Sequence, residues 1–275
     1  MIRKAQRSKA KLRLGISAPS GAGKTYGSLL VAFGIGGKVG LIDTENGSGD
    51  LYADLGDYDV ISITAPFTVP KYLAAIKEFE DAGYDTIIID SLTHAWAGDG
   101  GLLDKQGKIA DQSRSGNSYT AWRQVTPEHN SLVEHILQSN CHIIATMRAK
   151  TEYVQEKDAN NKTVVRKVGM APIQRDGMEY EFTVFMDIDG NHNATTTKDR
   201  TGLFDGQFFK LDQKIGQKLS EWLNTGVDAK KELVDTIMGI WEAQGKEVSE
   251  KTREYLMKQK IASLNATRRQ LEEPF

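Results

Sequence analysis

A short segment near the start of the chain carries residue types that bind phosphate. Residues 18–25 read Ala-Pro-Ser-Gly-Ala-Gly-Lys-Thr. They fit the pattern G-x-x-x-x-G-K-[ST] at every fixed position but the first, where Ala18 stands for Gly. Small residues let backbone N–H groups close around phosphate oxygens. We therefore predict a phosphate-binding loop here, called the phosphate loop below. The alternative is a glycine-rich turn with an accidental Lys-Thr.

The residue types assign predicted roles within the phosphate loop. Lys24 would reach the β and γ phosphates, and the Thr25 hydroxyl would ligate Mg²⁺. The helix that follows would point its positive end at the same anion. Ala18 would be strained if its position needs a positive φ. The residues predicted to contact the nucleotide in this segment are Pro19, Ser20, Gly21, Ala22, Gly23, Lys24, Thr25 and Tyr26.

Two carboxylates at predicted strand ends complete the candidate chemistry. Asp90 ends an apolar run of isoleucines, and an acid at the end of a central strand orients the Mg²⁺ shell in nucleotide-binding proteins. Many AAA+ ATPases place a Glu directly after this Asp, but here Ser91 follows. Glu45, at the end of another apolar run, is therefore the candidate for positioning the attacking water.

Strands and helices must position these side chains. Leu12, Leu14 and Ile16 alternate with polar or small residues before the phosphate loop, which predicts a strand. Leu29 and Phe33 recur at helical spacing after it, which predicts a helix. Further strands are expected at 38–45, 60–63, 84–91, 141–147, 180–188 and around 194–197, with helices beginning near 68 and 126. This alternation predicts an α/β fold with a mainly parallel central sheet flanked by helices.

The remainder of the chain divides by composition. Residues 97–120 and 148–177 are rich in glycine or basic residues, and we expect irregular loops there. After Gly226 the pattern becomes helical, with Ser249 as a candidate cap. Its two apolar stripes are Leu233, Ile237, Ile240 and Trp241, then Met257, Ile261 and Leu264. We predict a basic N-terminal arm at 1–12, an ATPase core at 13–226 and a small C-terminal helical appendage at 227–275.

Bulk composition excludes some classes of protein. The chain has 275 residues and a net charge of -2, so any nucleic-acid contact must come from local patches. Cys141 is the only cysteine, so no internal disulfide is possible, which suits a reducing cytoplasm. The N-terminus has no apolar signal-peptide core, and the most apolar run is broken by Lys38 and glycines. We therefore expect a cytoplasmic protein without a membrane partner.

Four separated motifs together resemble the RecA family. Residues 41–45, followed by residues 50–56, are similar to the RecA segment in which Ile-Asp-Ala-Glu ends a strand and Ile-Tyr-Ala follows. Residues 88–91 resemble the RecA Val-Asp-Ser, and residues 197–200 resemble its Lys-Asn-Lys segment. The resemblance covers roughly residues 10–215 and is strongest to phage-encoded, core-only RecA-like proteins used in single-strand annealing and recombination. A bacteriophage protein of this kind would act in the bacterial host cytoplasm.

The RecA resemblance implies further roles. Glu45 would be the catalytic carboxylate, and Tyr52 would stack on adenine. Lys198 and Arg200 would reach the γ-phosphate of a neighbouring subunit; the alternative is a surface turn with solvated charges. Thr146 stands where RecA has a Gln that senses the γ-phosphate, and a Thr is shorter and lacks the amide. The candidate catalytic set is Lys24, Glu45, Asp90, Thr146, Lys198 and Arg200, and the candidate Mg²⁺ ligands are Thr25 and Asp90.

In RecA-like filaments two loops hold single-stranded DNA, and residues 97–120 and 148–177 match them. Tyr119, Trp122 and Tyr153 are candidates to stack on bases, with ordinary packing as the alternative. The candidate DNA-binding cations, which otherwise form a solvated surface, are Lys105, Lys108, Arg114, Arg148, Lys150, Lys162, Arg166, Lys167 and Arg175. Residues 271–275 resemble the acidic, Pro-Phe-terminated tip of bacterial single-strand-binding proteins, which suggests either a docking tip or a frayed terminus.

The sequence thus predicts an ATPase that uses ATP and Mg²⁺, binds single-stranded DNA and assembles with itself as a filament. Annealing or strand exchange would be its activity, and a single-strand-binding protein is a possible partner. The alternatives are a ring motor with the same core, such as a helicase or packaging ATPase, an annealing module that needs no turnover, and a small-molecule kinase.

Overall fold

A computed structural model describes residues 4–112, 118–157, 163–259 and 261–272. Within these ranges the side chains of residues 118, 151–157, 163–169 and 262 are not described. The chain divides into two compact units: one contains Lys11–Trp222, and the other contains Met1–Ala10 with Leu223–Phe275. The helices among the described residues do not combine the length and apolarity needed to cross a membrane.

The first unit is built on a sheet whose central strands are parallel. Its strands are β1 (Arg13–Ala18), β2 (Val39–Asp43), β3 (Asp59–Ser62), β4 (Thr86–Asp90), β5 (His142–Lys157), β6 (Thr163–Pro172), β7 (Val184–Ile188) and β8 (Ala194–Asp199). Their order is β3-β2-β4-β5-β1-β7-β8, and β6 lies off this path, paired with β5. The six strands from β3 to β7 in this order run parallel, while β8 and β6 are antiparallel to their neighbours. This confirms the predicted α/β class.

Helices alternate with the strands. They are α1 (Lys24–Ile35), α2 (Val69–Asp81), α3 (Thr93–Ala97), α4 (Leu102–Gln112), α5 (Ser118–Gln138) and α6 (Gln213–Asn224), followed by α7 (Ala229–Ala243), α8 (Glu250–Lys258) and α9 (Ile261–Glu272). Strands β1, β2 and β4 are buried at every residue, as expected for parallel strands covered on both faces. Because β1, β2 and β4 run parallel, their carboxyl ends lie at one edge of the sheet. This edge is where a doubly wound fold binds its ligand.

The prediction of irregular loops at residues 97–120 and 148–177 is wrong in part. Residues 97–120 contain α4 and the start of α5, which begins eight residues before the predicted Thr126 and continues through Pro127. Leu102, Gln106 and Ile109 recur at helical spacing, and Gly107 lies at a position where a Cβ would meet nothing within 4 Å. The glycines before Leu102 were a stronger loop signal than this weak helical pattern.

The segment 148–177 is likewise more regular than predicted. It contains the end of β5 and all of β6, which form an antiparallel hairpin with a register shift between Glu152 and Tyr153. The β-branched residues at 151, 154 and 163–165 favour strands, whereas the prediction followed the charges. The predicted strand at 180–188 is also shorter, because Met178–Glu181 form a 3-10 turn and β7 begins at Val184.

The second unit packs α7, α8 and α9 around its own apolar cluster. Its buried members are Leu233, Val234, Ile237, Met238, Leu256 and Leu264. Ser249 caps α8, because its side chain accepts the Thr252 N–H at 3.3 Å. Ile261, one of the predicted stripe residues, is 50% exposed. Residues of the predicted N-terminal arm lie in this unit, where the Lys9 N–H donates to the Val227 carbonyl at 2.8 Å.

Candidate functional site

The phosphate loop lies between β1 and α1, as predicted. Gly21 and Gly23 adopt φ values of 77° and 88°, a region that favours glycine. Ala18 is the last residue of β1. Among the described residues, the non-glycine positions with positive φ are Asn46 and His192, so Ala18 carries none of the strain considered above.

The Lys24 side chain folds over the phosphate loop. Its Nζ donates to the carbonyls of Ala18 and Pro19 at 3.1 and 3.0 Å. Burial lowers the pKa of Lys24, although the charges of Asp90 and Glu45 act in the opposite direction. A half-buried cation therefore lies where the pattern places the group that reaches the outer phosphates.

Asp90 lies beneath the loop between two threonines. The Thr146 hydroxyl donates to Asp90 Oδ1 at 2.5 Å, and the Thr25 hydroxyl donates to Asp90 Oδ2. Burial raises the pKa of Asp90 because its charged form is desolvated, and these two hydrogen bonds oppose the rise. The predicted Mg²⁺ ligands, Thr25 and Asp90, are thus in direct contact. Thr146 is fully buried, and its hydroxyl holds Asp90.

Glu45 is held by Arg148 of β5 and by Ser91, which directly follows the neighbouring strand β4. Arg148 Nε donates to Glu45 Oε1 at 3.0 Å, and Arg148 Nη2 contacts Oε2. The Ser91 hydroxyl also donates to Oε1 at 3.0 Å. Burial acts to raise the pKa of Glu45, but the hydrogen bonds and charge of Arg148, with help from Ser91, leave it below its ordinary value. Glu45 is therefore an ionised, tightly bound carboxylate.

One cavity of about 600 Å³ brings together most of the predicted catalytic and nucleotide-binding residues. Its lining includes Ser20, Gly21, Ala22, Gly23, Lys24, Thr25, Tyr26, Glu45, Tyr52, Asp90 and Arg148. The rings of Tyr26 and Tyr52 meet edge to face, with centroids 5.8 Å apart. The cavity lining thus combines a cation, hydroxyl groups and aromatic rings, the groups that a nucleoside phosphate requires.

Sequence reasoning missed some residues of this cavity. Ser48, Ile188, His192, Lys210 and Leu211 also line it. A Cβ built on Gly23 would lie 3.4 Å from His192 Nδ1, so His192 approaches the phosphate loop closely. The residue sequence around His192 and Lys210 contains no motif that would have identified either of them.

The two predicted trans-acting cations lie on or beside β8. Lys198 donates to the Tyr180 carbonyl, and burial lowers the pKa of Lys198. Arg200 follows the end of β8 and is exposed. Among the described residues that line the cavity, neither cation is present.

The predicted DNA-binding cations fall in different places. Lys105 pairs with Glu128, and Lys108 pairs with Asp104 at 2.7 Å. Arg148 lines the cavity of about 600 Å³ described above, and Lys150 is exposed on β5. Arg114 and Lys162 lie outside the described residues, as do the side chains of Tyr153, Arg166 and Lys167 and the end of the 271–275 tip.

A second groove joins the ends of the two segments that were predicted to hold DNA. It has a volume of about 670 Å³ and is lined by Trp96, Tyr119, Trp122, Arg123, Thr126, Pro127, Arg175 and Asp176. The Trp96 and Trp122 rings stack with centroids 5.5 Å apart, and Tyr119 is 78% exposed. Flat aromatic surfaces beside two arginines are the composition of a site that stacks bases and contacts phosphates.

Comparison with known proteins identifies a family. A family model described as an AAA domain matches residues 10–230, which is most of the chain. A search of curated proteins gives no match.

Three solved structures can be compared with this chain. The RadB recombinase is 14% identical, with 74% of this chain and 88% of that chain covered and a TM-score of 0.40. A KaiC-like protein, PH0186 from the hyperthermophilic archaeon Pyrococcus horikoshii OT3, is 14% identical, with coverage of 72% and 84% and a TM-score of 0.41. An ATPase from the type III secretion system of pathogenic bacteria is 15% identical, with coverage of 94% and 78% and a TM-score of 0.37.

Proposed function

This chain belongs to the AAA domain family, and from that premise we propose that it is a RecA-like ATPase that acts on single-stranded DNA as an oligomer. ATP with Mg²⁺ would bind at the phosphate loop, and annealing or strand exchange would be the activity. The observation that carries the ATPase part is the contact of Thr25 with Asp90 in a cavity that also holds Lys24 and Glu45.

The donor set fits Mg²⁺. The Thr25 hydroxyl and the Asp90 carboxylate supply hard oxygen ligands, and Mg²⁺ prefers a few such protein oxygens together with substrate phosphates. When bound, the ion would neutralise charge on the phosphates. Lys24 would neutralise the same oxygens from the loop side, and Thr146 would keep Asp90 in place. The charge of the phosphates would thus be balanced within a largely buried site, where electrostatic interactions are strong.

Glu45 supplies the group that a hydrolase needs to position water. It lines the phosphate cavity without contacting Asp90 through a hydrogen bond, so the roles of metal ligand and water-positioning base fall on different carboxylates. Its lowered pKa keeps it ionised at neutral pH. The edge-to-face pair of Tyr26 and Tyr52 supports binding of a purine in the same cavity.

The aromatic groove supports the single-stranded DNA part of the proposal. Bases have two flat faces, and stacking on an aromatic side chain contributes about 1–3 kcal/mol per base. Trp122 and the exposed Tyr119 would supply those surfaces, while Arg123 and Arg175 would contact the backbone phosphates. Duplex DNA keeps its bases stacked inside, so this groove favours a single strand.

Oligomerisation would complete the ATP site. Lys198 and Arg200 are absent from the described lining of the cavity in their own chain, which agrees with action on a neighbouring subunit. Cations supplied in this way neutralise developing charge on the transferred phosphoryl group.

The test is ATP hydrolysis with and without single-stranded DNA, with subunit association followed in the same samples. Glu45→Gln should retain nucleotide binding and lose turnover by at least about a hundredfold, and Lys24→Ala should lose both. Lys77→Ala, which breaks an exposed ion pair with Asp81 on α2, is the matched control and should behave as wild type. Unchanged hydrolysis in Glu45→Gln would contradict the assignment, and DNA binding that survives Lys24→Ala would favour an annealing module without turnover.

A further inference from the structure

Behind the Glu45 carboxylate, a chain of buried polar groups joins the residues that follow β2 and β4. Thr44 and Ser91 are 1% and 0% exposed. The Thr44 hydroxyl accepts the Ser91 N–H at 2.8 Å, and the Ser91 hydroxyl donates to Glu45 Oε1 at 3.0 Å. The Thr44 N–H donates to the Asp90 carbonyl at 2.7 Å. A buried hydroxyl therefore ties together the two strand ends beside the Asp90 and Glu45 carboxylates.

His94, in the first turn of α3, is the partner of the Thr44 hydroxyl. His94 Nδ1 lies 2.7 Å from Thr44 Oγ1, and the Ser91 carbonyl oxygen lies 3.2 Å from the same atom. A hydroxyl has a single proton to donate, and the shorter distance favours donation to His94. Burial lowers the pKa of His94, so the ring is neutral at neutral pH and keeps one nitrogen as an acceptor. The ring stacks on Phe67, with centroids 4.7 Å apart.

The contact from Ser91 determines which oxygen of Glu45 remains open. Each carboxylate oxygen accepts about two hydrogen bonds. Oε1 accepts from the Ser91 hydroxyl and from Arg148 Nε, while Oε2 accepts from Arg148 Nη2. Among the described contacts, this leaves an acceptor position on Oε2 for a water molecule. Arg148 reaches Glu45 with a side chain that is 45% exposed, so the fully buried Ser91 supplies the contact that comes from the core.

We propose that the Thr44 hydroxyl, held by His94, makes Thr44 a positioning residue for ATP hydrolysis. It fixes Ser91, whose hydroxyl in turn directs the open side of Glu45 toward the attacking water. The inference rests on the proposed function, in which Glu45 acts on that water. Thr44, Ser91 and His94 are not among the described residues that line the nucleotide cavity. Loss of this chain should therefore slow turnover and spare nucleotide binding.

The first test compares ATP hydrolysis and nucleotide affinity in the wild type, Thr44→Val and Thr44→Ser. Val has nearly the shape of Thr without the hydroxyl, so Thr44→Val should lower kcat by about tenfold to a hundredfold, since a misplacement of about 1 Å can cost a hundredfold. Its affinity for a fluorescent ATP analogue should stay near the wild-type value. Thr44→Ser keeps the hydroxyl and should retain most of the activity.

Thr86→Val is the matched control. Thr86 is fully buried at the other end of β4, and its hydroxyl has no hydrogen-bond partner among the described residues, so the same change there should leave hydrolysis at the wild-type level. His94→Phe keeps a ring that can stack on Phe67 but removes Nδ1, and its kcat should lie between those of Thr44→Val and the wild type. His94→Asn, which retains a polar group near the Nδ1 position, should recover part of the loss.

Action through Glu45 is tested by combining variants. Effects of residues that act as a unit are not additive, so Thr44→Val should lower the residual single-turnover rate of Glu45→Gln no further. Ser91→Ala removes only the hydroxyl on Glu45 and should lower kcat as Thr44→Val does, which keeps the test open where Thr44→Val destabilises the fold. Three results would overturn the proposal: wild-type kcat in Thr44→Val, wild-type kcat in Ser91→Ala, or a further loss in the Glu45→Gln background.

A second readout does not depend on hydrolysis. The Ser91 N–H is bonded to Thr44 Oγ1, so Thr44→Val should raise hydrogen exchange at the amide of residue 91, whereas Thr44→Ser and Thr86→Val should not. Equal exchange in Thr44→Val and the wild type would refute the contact. A wild type without any ATPase activity would instead refute the proposed function, while the exchange result would still decide whether Thr44 fixes Ser91.

Discussion

At the scale of single residues, the most consequential group is the buried carboxyl of Asp90. Its burial raises its pKa above the ordinary 3.8, so the folded protein binds a proton there more tightly than the unfolded chain does. The contribution of Asp90 to the free energy of unfolding is therefore present at low pH. It is lost as the pH rises through the pKa that Asp90 has in the folded protein. Each pKa unit of the rise corresponds to about 1.4 kcal/mol. Ionisation of this buried carboxyl therefore costs stability, and binding of Mg²⁺ in the proposed function would offset that cost.

We predict that Asp90→Asn stabilises the nucleotide-free protein at neutral pH. The amide removes the buried charge, and it can still accept from one threonine hydroxyl and donate to the other. The melting temperature should exceed that of the wild type at pH 7, and the difference should shrink as the pH falls toward the ordinary carboxyl pKa of 3.8. The same variant should lose the added stabilisation that ATP with Mg²⁺ gives the wild type. A lower melting temperature at pH 7 would contradict this account of Asp90.

Sequence motifs identified those site residues that can be recognised by their side-chain type and their spacing. Lys24, Thr25, Glu45 and Asp90 were recognised because their types occur at motif spacing and at strand ends, and the structure brings all four to one cavity. The position of Arg148 beside Glu45 was not predictable in this way. It comes from a contact across 103 positions of sequence, and a charge within a basic segment gives no sign of which partner it will find.

At the scale of elements, the close approach of two helix backbones leaves no room for a Cβ at two glycines. A Cβ on Gly34 of α1 would lie 2.0 Å from the Gln213 carbonyl oxygen, and a Cβ on Gly216 of α6 would lie 2.1 Å from the Val31 carbonyl oxygen. Helices α1 and α6 therefore touch through backbone at this point. Since α1 carries the phosphate loop at its start, this contact fixes the direction from which the helix meets its ligand.

We predict that Gly34→Ala lowers the free energy of unfolding by about 1–3 kcal/mol, the usual cost of overpacking, because the obstructing atom belongs to backbone. The matched control is Gly107→Ala on α4, where a Cβ meets nothing within 4 Å. That change should be neutral or stabilising by up to about 1 kcal/mol, since Ala favours helix over Gly. Urea unfolding of both variants measures the two values, and equal effects would refute the backbone contact.

The burial of a helix or strand explains whether it could be predicted from the sequence. Parallel strands such as β4 are continuous apolar runs, and their burial leaves a clear signal. Helix α4 is exposed on one side, so polar residues interrupt its apolar pattern. Polar residues also interrupt the apolar pattern in the sequence of the β5–β6 hairpin. The prediction therefore gave more weight to charged residues and glycines than to helical or strand periodicity. Asp104, in the first turn of α4, nevertheless caps the preceding turn by accepting the Gly100 N–H at 2.9 Å.

At the scale of the whole molecule, the helical unit has a core of its own. Val234 and Ile237 of α7 are fully buried against residues of α8 and α9, and none of these side chains lines the nucleotide cavity. We predict that Ile237→Ala destabilises this unit by about 2–5 kcal/mol, while the affinity of the protein for ATP is unchanged. Calorimetry of the full chain, with and without ATP and Mg²⁺, measures both effects. A matching loss of ATP affinity would show that the nucleotide site depends on this core.

The largest question at this scale is whether one subunit completes the ATP site of the next. If Lys198 and Arg200 act across an interface, a subunit with Lys24→Ala still offers its cations to a neighbour, and a subunit with Arg200→Ala still offers its site. Each variant alone should be inactive. Because heterologous contacts pair one surface with a different one, random mixing in equal amounts should restore about a quarter of wild-type hydrolysis per subunit.

Mixing also separates this mechanism from one within a single chain. If Arg200 acted on the site of its own subunit, every member of the mixture would carry one defect, and no activity would return. The control is a mixture of Lys24→Ala with Glu45→Gln, in which both defects lie in the same cavity and no interface can restore a complete site. Recovery in the first mixture but not in the second requires that the catalytic unit is the contact between two subunits, so that assembly itself switches on hydrolysis.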